Sequence, residues 1–297
     1  MENQVEIKKI LVPVDYSEHS IQACRYALKI ASKANASIKI FHAFYSPAYD
    51  LIELTGNKST QRKLREEVTQ KLMDGEQDKM QVFLNDLNKY AELKDFNRKL
   101  IETEMVPGLP KEEIQEITEA YSPDLVIMGT RGKDAQESSV LGSITEFAIK
   151  RLKSPVLAVP IDYTFIGEGN LKNLAYLTDF DESDFLSIKK LMGFTNLLDM
   201  TIHCLHIGGK DDNWERLKME GLKNYFRNSY QDAQDECHFL GGEKNLLPAI
   251  DTFIREQKIN ILSLTSRKRN LIEKLFKPSL AKKLFYHSNI PLLVFHS

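Results

Sequence analysis

The segment DLVIMGTRGKDAQESSVLGSITEFAIKRLKSPVLAVP, residues 124–160, carries the clearest structural signal in the chain. Its two apolar runs, DLVIMG and PVLAVP, have the nearly continuous hydrophobic character of strands that are covered on both faces of a sheet. Between them, residues 143–152 have the length and apolar spacing of a short helix. Strand, helix and strand in this order predict a parallel sheet with helices packed against it.

The alternation of apolar runs and amphipathic segments continues on both sides of this region. Upstream it predicts strand, helix, strand, strand and helix, at residues 9–15, 18–34, 37–44, 100–106 and 110–121. Downstream it predicts strands at 171–179, 201–207, 237–240, 259–265 and 291–295, and helices at 183–197, 211–233, 246–256 and 279–287. Each half therefore has the strand and helix pattern of a doubly wound α/β sheet.

Short matching segments indicate that the second half repeats the first. LVPVDYSE around Asp15 parallels YLTDFDES around Asp179. DLVIMGTR at 124–131 parallels NILSLTSR at 260–267, and SPVLAVP at 154–160 parallels IPLLVFH at 290–296, so these two matches share one offset along the chain. We therefore predict two tandem doubly wound α/β units, each a five-stranded parallel sheet with helices on both faces: residues 1–160 and 171–297, joined by the linker 161–170.

Composition excludes several classes of protein. The 297 residues are 42% hydrophobic and 28% charged with a net charge of −2, so a globular fold is expected, and neither nucleic acid nor a membrane is an expected partner. No basic segment leads into an apolar run at the N-terminus, and no run approaches the roughly 20 apolar residues of a membrane span. Cys24, Cys204 and Cys237 are widely spaced and form no C-x-x-C pair, as is typical of a cytoplasmic protein.

A glycine-containing loop follows the apolar run that ends at Gly129. Gly129 and Gly132 allow the backbone to turn sharply, and Gly142-Ser143 stands at the start of a predicted helix, where unpaired N–H groups favour an anion. This arrangement predicts a phosphate-binding loop. A structural interpretation stays open beside it, in which the first two glycines only form turns and Ser143 with Glu146 forms a capping box.

Other chemistry has little support in the sequence. GTRGKD lacks the G-x-x-x-x-G-K-[ST] spacing of a P-loop, and no G-x-G-x-x-G follows the first predicted strand. His203 and His206 are metal-ligand residue types, but three residues apart on a strand they point to opposite faces. No local motif suggests a Ser, His and Asp arrangement, so we predict neither a catalytic residue nor a metal site.

The spacing G-x2-G-x9-G-[ST] in this loop resembles the ATP-binding pattern of the universal stress protein family. Pro13-Val-Asp15, His42-Ala43-Phe44 and the PVLAVP strand fit the same family. The resemblance implies a five-stranded parallel sheet that holds ATP at the carboxyl ends of its strands. Carried over to this sequence, it implies that Asp15 contacts the adenosine and that the main chain near Ala43 contacts the adenine. Pro13 also belongs to the implied nucleotide-binding residues. The ribose and phosphates would be surrounded by Gly129, Thr130, Arg131, Gly132, Gly142 and Ser143.

The resemblance also implies a function. It indicates a cytoplasmic ATP-binding protein with a regulatory role in the stress response and no enzymatic activity, with Mg²⁺ held mainly through phosphates and water. A slow ATP hydrolase and a nucleotide-free scaffold stay open as alternatives, and the protein partner is not identified. Because the family commonly pairs through its fifth strand, residues 156–159 are expected to meet residues 292–295 within one chain. Whether two chains then form a homodimer stays open.

The second unit keeps the aspartate but loses the glycines. Asp179 stands at the position of Asp15, whereas Gly129, Gly132 and Gly142-Ser143 are replaced by Thr265, Lys268 and Pro278-Ser279. Side chains then fill positions where the backbone must approach the ligand closely, and proline lacks an N–H donor. We predict that only the first unit binds ATP and that the second is structural or binds another ligand.

Three features have more than one interpretation at this stage. Asp15 could serve only as the N-cap of the helix that begins near residue 18. Residues 58–97 could form a cover over the nucleotide, a partner-docking helix, or an exposed helix without function. Trp214 recurs at helical spacing with Tyr225, which favours packing over base stacking.

Overall fold

A computed structural model describes residues 6–47, 58–90, 96–131, 141–161, 171–178, 182–208, 213–229, 235–241, 246–265 and 290–296. The strands are β1 (Lys9–Pro13), β2 (Ser37–Phe44), β3 (Ile101–Pro107), β4 (Leu125–Gly129), β5 (Val156–Val159), β6 (Asn173–Thr178), β7 (Thr201–Gly208), β8 (Asp235–Gly241), β9 (Ile261–Thr265) and β10 (Leu292–Phe295). The helices are α1 (Glu18–Ala34), α2 (Lys58–Leu87), α3 (Pro110–Tyr121), α4 (Ser143–Arg151), α5 (Glu182–Leu198), α6 (Asn213–Ser229) and α7 (Leu246–Glu256).

The described strands form one continuous sheet in the order β3-β2-β1-β4-β5-β10-β9-β6-β7-β8. Within each half the neighbouring strands are parallel, which confirms the predicted α/β fold class. Strands β4, β5, β9 and β10 are buried along their whole length. Their uninterrupted apolar sequences are explained by this two-sided cover.

Helices cover both faces of the sheet, and each face has its own hydrophobic core. One core contains buried side chains of α1, α2 and α5, and the other contains buried side chains of α3, α4 and α7. Both cores extend across the two halves of the sheet. None of the helices in the described part of the chain has a run of apolar residues long enough to cross a membrane.

The two halves join through the edge strands β5 and β10. These strands pair antiparallel, with Leu293 opposite Leu157 and Val294 opposite Val156. The expected pairing of residues 156–159 with residues 292–295 is therefore present within one chain. An edge strand that is paired in this way offers no backbone groups to other proteins.

The strand register reproduces the matches found in the sequence. Gly129 pairs with Val159 in the first half, and Thr265 pairs with Phe295 in the second, at the same offset that relates DLVIMGTR to NILSLTSR. The pair Val12–Ile40 corresponds likewise to Tyr176–Cys204, at the offset that relates Asp15 to Asp179. The sequence repeat is thus a structural repeat, while the exact unit limits stay a prediction because residues 162–170 lie outside the described part.

His296 links the second half to a helix of the first. Its Nε2 lies 2.7 Å from the carbonyl oxygen of Ile149 in α4, and since a carbonyl only accepts, Nε2 carries the proton. The Lys190 ammonium donates to the carbonyl of His296 itself at 3.3 Å. Burial is the main cause that lowers the pKa of His296, and the nearby Lys190 charge lowers it further.

We expect this histidine to make stability depend on pH. Because its pKa is lower in the folded chain than the ordinary value of about 6.5, the unfolded chain binds more protons between the two values. The contribution of His296 to the free energy of unfolding is complete above about pH 6.5, and it is lost as the pH falls through the lowered pKa. Urea unfolding at several pH values should show a steeper loss of stability on acidification for the wild type than for His296→Gln. Parallel profiles would contradict this assignment.

Candidate functional site

The predicted site residues gather where β1, β2 and β4 end. These strands are neighbours in the sheet, so Pro13, Ala43 and Gly129 lie at one edge of it. The Gly142 N–H donates to the carbonyl of Thr130 at 2.8 Å, which brings the start of α4 to the end of β4. Gly132 lies outside the described residues.

Asp15 is half-buried and braces the first turn of α1. Its Oδ1 accepts hydrogen bonds from the Ser17 N–H (3.1 Å), the Ser17 hydroxyl (2.6 Å) and the Ser20 hydroxyl (2.7 Å). The N-cap itself is Ser17, whose hydroxyl accepts from the Ser20 N–H. The N-cap interpretation of Asp15 is therefore wrong. Asp15 lies two residues before the cap, and its carboxylate is held at the carboxyl end of β1.

In the described part of the chain, helix α4 begins with an N-cap residue that has no side chain. Gly142 is its N-cap, with φ −66° and ψ 154°, and Ser143 is already the first helical residue. The capping-box interpretation is wrong because it needs Ser143 at the N-cap position. Glu146 instead pairs with Lys150. Among the described residues, the N-cap Gly142 has no side chain that could bond to the first-turn N–H groups of α4, an arrangement that suits an anion such as phosphate.

Gly129 is required by close packing rather than by a turn. A Cβ at this position would lie 2.8 Å from the Cβ of His19 and 3.1 Å from the carbonyl oxygen of Arg131. The Thr145 hydroxyl also donates to the Gly129 carbonyl at 2.8 Å. The missing side chain thus lets the first turn of α1, the end of β4 and the first turn of α4 meet at one point.

We expect Gly129→Ala to lower the free energy of unfolding by about 1–3 kcal/mol, the usual cost of overpacking. The nearest atoms belong to α1 and to the backbone, so relief requires a shift of a whole element. Gly75→Ala is the matched control, since a Cβ there meets nothing within 4 Å in the exposed face of α2. Urea unfolding should show that Gly75→Ala leaves stability unchanged or raises it. Equal midpoints for the two variants would refute the packing role.

The remaining predicted residues flank this point. Thr130 is buried, with its N–H bonded to the carbonyl of Val159 at 3.0 Å. Arg131 is half-buried directly after it. Ala43 is half-buried in β2, opposite Val106 of β3. In the described part of the chain, no group of three or more His, Cys, Asp or Glu side chains could hold a metal ion.

Sequence reasoning missed a cluster beside Asp15 that contains Tyr16, His42 and Glu76. Glu76 belongs to α2 and is buried, with its Oε2 3.3 Å from Nε2 of His42 and its Oε1 2.7 Å from Nζ of Lys79. The rings of Tyr16 and His42 are 4.3 Å apart. Burial, and then the negative charge of Glu76, raise the pKa of Tyr16 far above its usual value.

A repeat in the sequence could have pointed to part of this cluster. Nδ1 of His42 lies 2.7 Å from the carbonyl oxygen of Val14, and Nδ1 of His206 lies 2.7 Å from that of Thr178. His206 and Thr178 therefore lie as far along the chain from His42 and Val14 as Asp179 lies from Asp15. A histidine that recurs at the repeat spacing indicates a structural role at the strand end.

The second half differs from the first at the position of Gly129. Thr265 is fully buried there, and its hydroxyl lies 2.8 Å from the hydroxyl of Tyr176. A hydrogen-bonded pair of side chains thus fills the place where the first half brings backbone segments together. Asp179, Lys268, Pro278 and Ser279 lie outside the described residues.

Two of the earlier interpretations need correction. Trp214 does not pack into the core, because 63% of it is exposed and its ring lies 5.7 Å from Nζ of Lys218. Nor is the helical segment after residue 58 merely an exposed insertion. Met80, Phe83 and Leu87 of α2 are buried against the sheet.

Comparisons with known proteins agree with this architecture. Residues 6–160 match the model of the universal stress protein family. Two universal stress proteins of Methanocaldococcus jannaschii, MJ0531 and MJ0577, are 33% and 30% identical over 152 and 162 residues; the matches cover 51% and 52% of this chain and 81% and 96% of theirs. The crystal structure of a universal stress protein from Archaeoglobus fulgidus superposes with a TM-score of 0.63 at 16% identity, over 98% of this chain and 97% of that one. That last likeness concerns the fold and extends over both halves.

Proposed function

The chain belongs to the universal stress protein family, and on this basis we propose that its first half binds ATP at the carboxyl ends of β1, β2 and β4. The observation that carries the proposal is the start of α4, where the N-cap residue Gly142 has no side chain and donates its N–H to the Thr130 carbonyl. Its first-turn N–H groups suit the phosphates, and the residues present therefore fit a triphosphate. Mg²⁺ would be held mainly by the phosphates and water.

The other end of the nucleotide would lie toward β1 and β2. Asp15 offers a carboxylate that is already fixed by three hydrogen bonds, so little side-chain entropy is lost when it contacts the adenosine. The main chain near Ala43, beside it in the sheet, would contact the adenine. Thr130 and Arg131 would line the space between these groups and α4, and Gly132 is assigned there from the motif alone.

We propose a regulatory role, in which bound ATP stabilises a conformation that a partner recognises. Hydrolysis needs a group that orients water and a positive charge that stabilises the γ-phosphate in the transition state. Oδ1 of Asp15 is committed to α1, which argues against its use as a base. We expect turnover far below the ~1–10³ s⁻¹ of typical enzymes. The family and the cytoplasmic cysteine pattern favour the cytoplasm as the site of action.

The direct test is titration calorimetry of the purified chain with ATP, together with mass spectrometry of nucleotide released on denaturation. One ATP per chain supports the proposal, because Thr265 fills the corresponding position of the second half. Two per chain would contradict the assignment to the first half alone. No binding, with no released nucleotide, would favour a nucleotide-free scaffold.

A further inference from the structure

The residue before Asp15, Val14, is bound to β2 through both its N–H and its carbonyl group. The Val14 N–H donates to the carbonyl of Phe41 at 2.8 Å, and the Val14 carbonyl oxygen lies 2.7 Å from Nδ1 of His42. A carbonyl oxygen only accepts, so Nδ1 of His42 carries a proton. The tautomer of this histidine is thereby fixed by the backbone of the Asp15 loop, which we define as residues 14–16.

The other nitrogen of His42 faces α2. Nε2 lies 3.3 Å from Oε2 of Glu76, and the exposed fractions of the two side chains are only 12% and 11%. With Nδ1 protonated, a neutral ring would turn its Nε2 lone pair toward a carboxylate. The imidazole of His42 therefore lies between the Val14 carbonyl on one side and the Glu76 carboxylate on the other.

Tyr16 connects the other side of the Asp15 loop to the same helix. Its φ of 62° lies in the left-handed region. The hydroxyl donates to the backbone carbonyl of Glu76 at 3.4 Å, and the ring contacts Phe83 at a centroid distance of 5.8 Å. Both neighbours of Asp15 are therefore tied to α2, Val14 through His42 and Tyr16 directly.

We propose that Glu76 is a positioning residue for the nucleotide site, acting through His42 to hold the Asp15 loop in the geometry that binds ATP. The inference rests on the proposed function. Among the described residues, the titratable groups in contact with His42 are Tyr16 of the loop and Glu76 of α2, and Glu76 also pairs with Lys79. Because linkage is reciprocal, bound ATP strengthens the docking of α2 by the same factor by which docking strengthens ATP binding. Binding of ATP would thus change how firmly α2 is docked, and α2 would transmit the state of the nucleotide site to the surface.

The first test needs no nucleotide. Hydrogen exchange of residues 76–87 is compared between the wild type, Glu76→Gln and Glu67→Gln, which makes the same change on the exposed face of α2. We expect faster exchange only in Glu76→Gln, since weakening the buried contact between Glu76 and His42 loosens the docked helix. Equal exchange in all three proteins would overturn the link between Glu76 and the docking of α2.

The second test asks whether Glu76 acts through His42. ATP affinity is measured by calorimetry for Glu76→Gln, for His42→Asn and for the double variant. Asparagine keeps a donor for the Val14 carbonyl but removes the nitrogen that faces Glu76. We expect each single change to weaken ATP binding by about 5- to 150-fold, the usual range for coupled sites, and the double change to weaken it no further. Glu67→Gln should bind like the wild type.

Each outcome has a separate meaning. Additive losses in the double variant, or wild-type affinity in Glu76→Gln, would overturn the positioning role. A wild type that binds no ATP would refute the proposed function instead, while the exchange experiment would still decide whether Glu76 docks α2. If Glu76→Gln does not fold, His42→Asn alone supports the proposal by faster exchange in residues 76–87 and overturns it by unchanged exchange.

Discussion

Gly142→Asp is expected to weaken ATP binding by about 100-fold or more while leaving the protein at least as stable as the wild type. Aspartate is a favoured N-cap, and its charge interacts well with the positive end of a helix, so α4 gains a few tenths of a kcal/mol or more. Gly142 has an extended backbone conformation, φ −66° and ψ 154°, that aspartate adopts without strain. The same carboxylate, however, occupies the anion position, and like charges placed together cost several kcal/mol.

The control is Gly142→Asn, which provides a similar cap of nearly the same shape without the charge. Calorimetry with ATP and urea unfolding should then separate two effects. The asparagine variant should lose part of the affinity through competition for the first-turn N–H groups, and the aspartate variant should lose much more. If the Gly142→Asp variant binds ATP as tightly as the wild type does, the phosphates do not lie at the start of α4.

Asp15→Ala is expected to lower the free energy of unfolding by about 3 kcal/mol, roughly the worth of two hydrogen bonds to a charged group. Its Oδ1 accepts three hydrogen bonds from Ser17 and Ser20, and Ser20 is buried, so its hydroxyl loses an acceptor that water does not easily replace. Urea unfolding should show a lower midpoint at an unchanged slope. A change within about 0.5 kcal/mol, the usual range for surface positions, would mean that Asp15 does not brace α1.

Asp15→Asn separates the structural role from the binding role. The amide oxygen can still accept from Ser17 and Ser20, so most of the stability should remain. The negative charge is lost, so ATP affinity should fall in Asp15→Asn although the fold is kept. Full affinity in this variant would remove the carboxylate from the proposed contacts with the adenosine.

The fold could be predicted from the sequence because it depends on local patterns. Continuous apolar runs such as LVIMG at 125–129 belong to strands that are buried on both faces, and helix α1 begins and ends where its polar residues cap it. The pairing of β5 with β10 was expected from the family resemblance. The structure adds that both offsets between the matching segments recur as strand register.

The site was predictable only in part, because its details depend on contacts between distant segments. Gly129 was expected at the site, but its requirement comes from His19, on a helix much earlier in the chain. Ser143 and Glu146 have the spacing of a capping box, yet the glycine before them takes the N-cap position. Glu76 belongs to a helix with no marked amphipathic pattern, so nothing in its neighbourhood indicates that it meets His42.

The antiparallel meeting of β5 and β10 reverses the direction of every strand from one half to the other. The strand ends that carry Asp15 and Gly129 therefore face one rim of the sheet, and the corresponding ends of β6 and β9 face the opposite rim. Two identical chains joined in this manner would be bound by symmetry to carry two equal crevices. Fusion into one polypeptide removes that constraint. One rim can then keep the proposed nucleotide site while the other rim changes in sequence. The paired strands β5 and β10 connect the two.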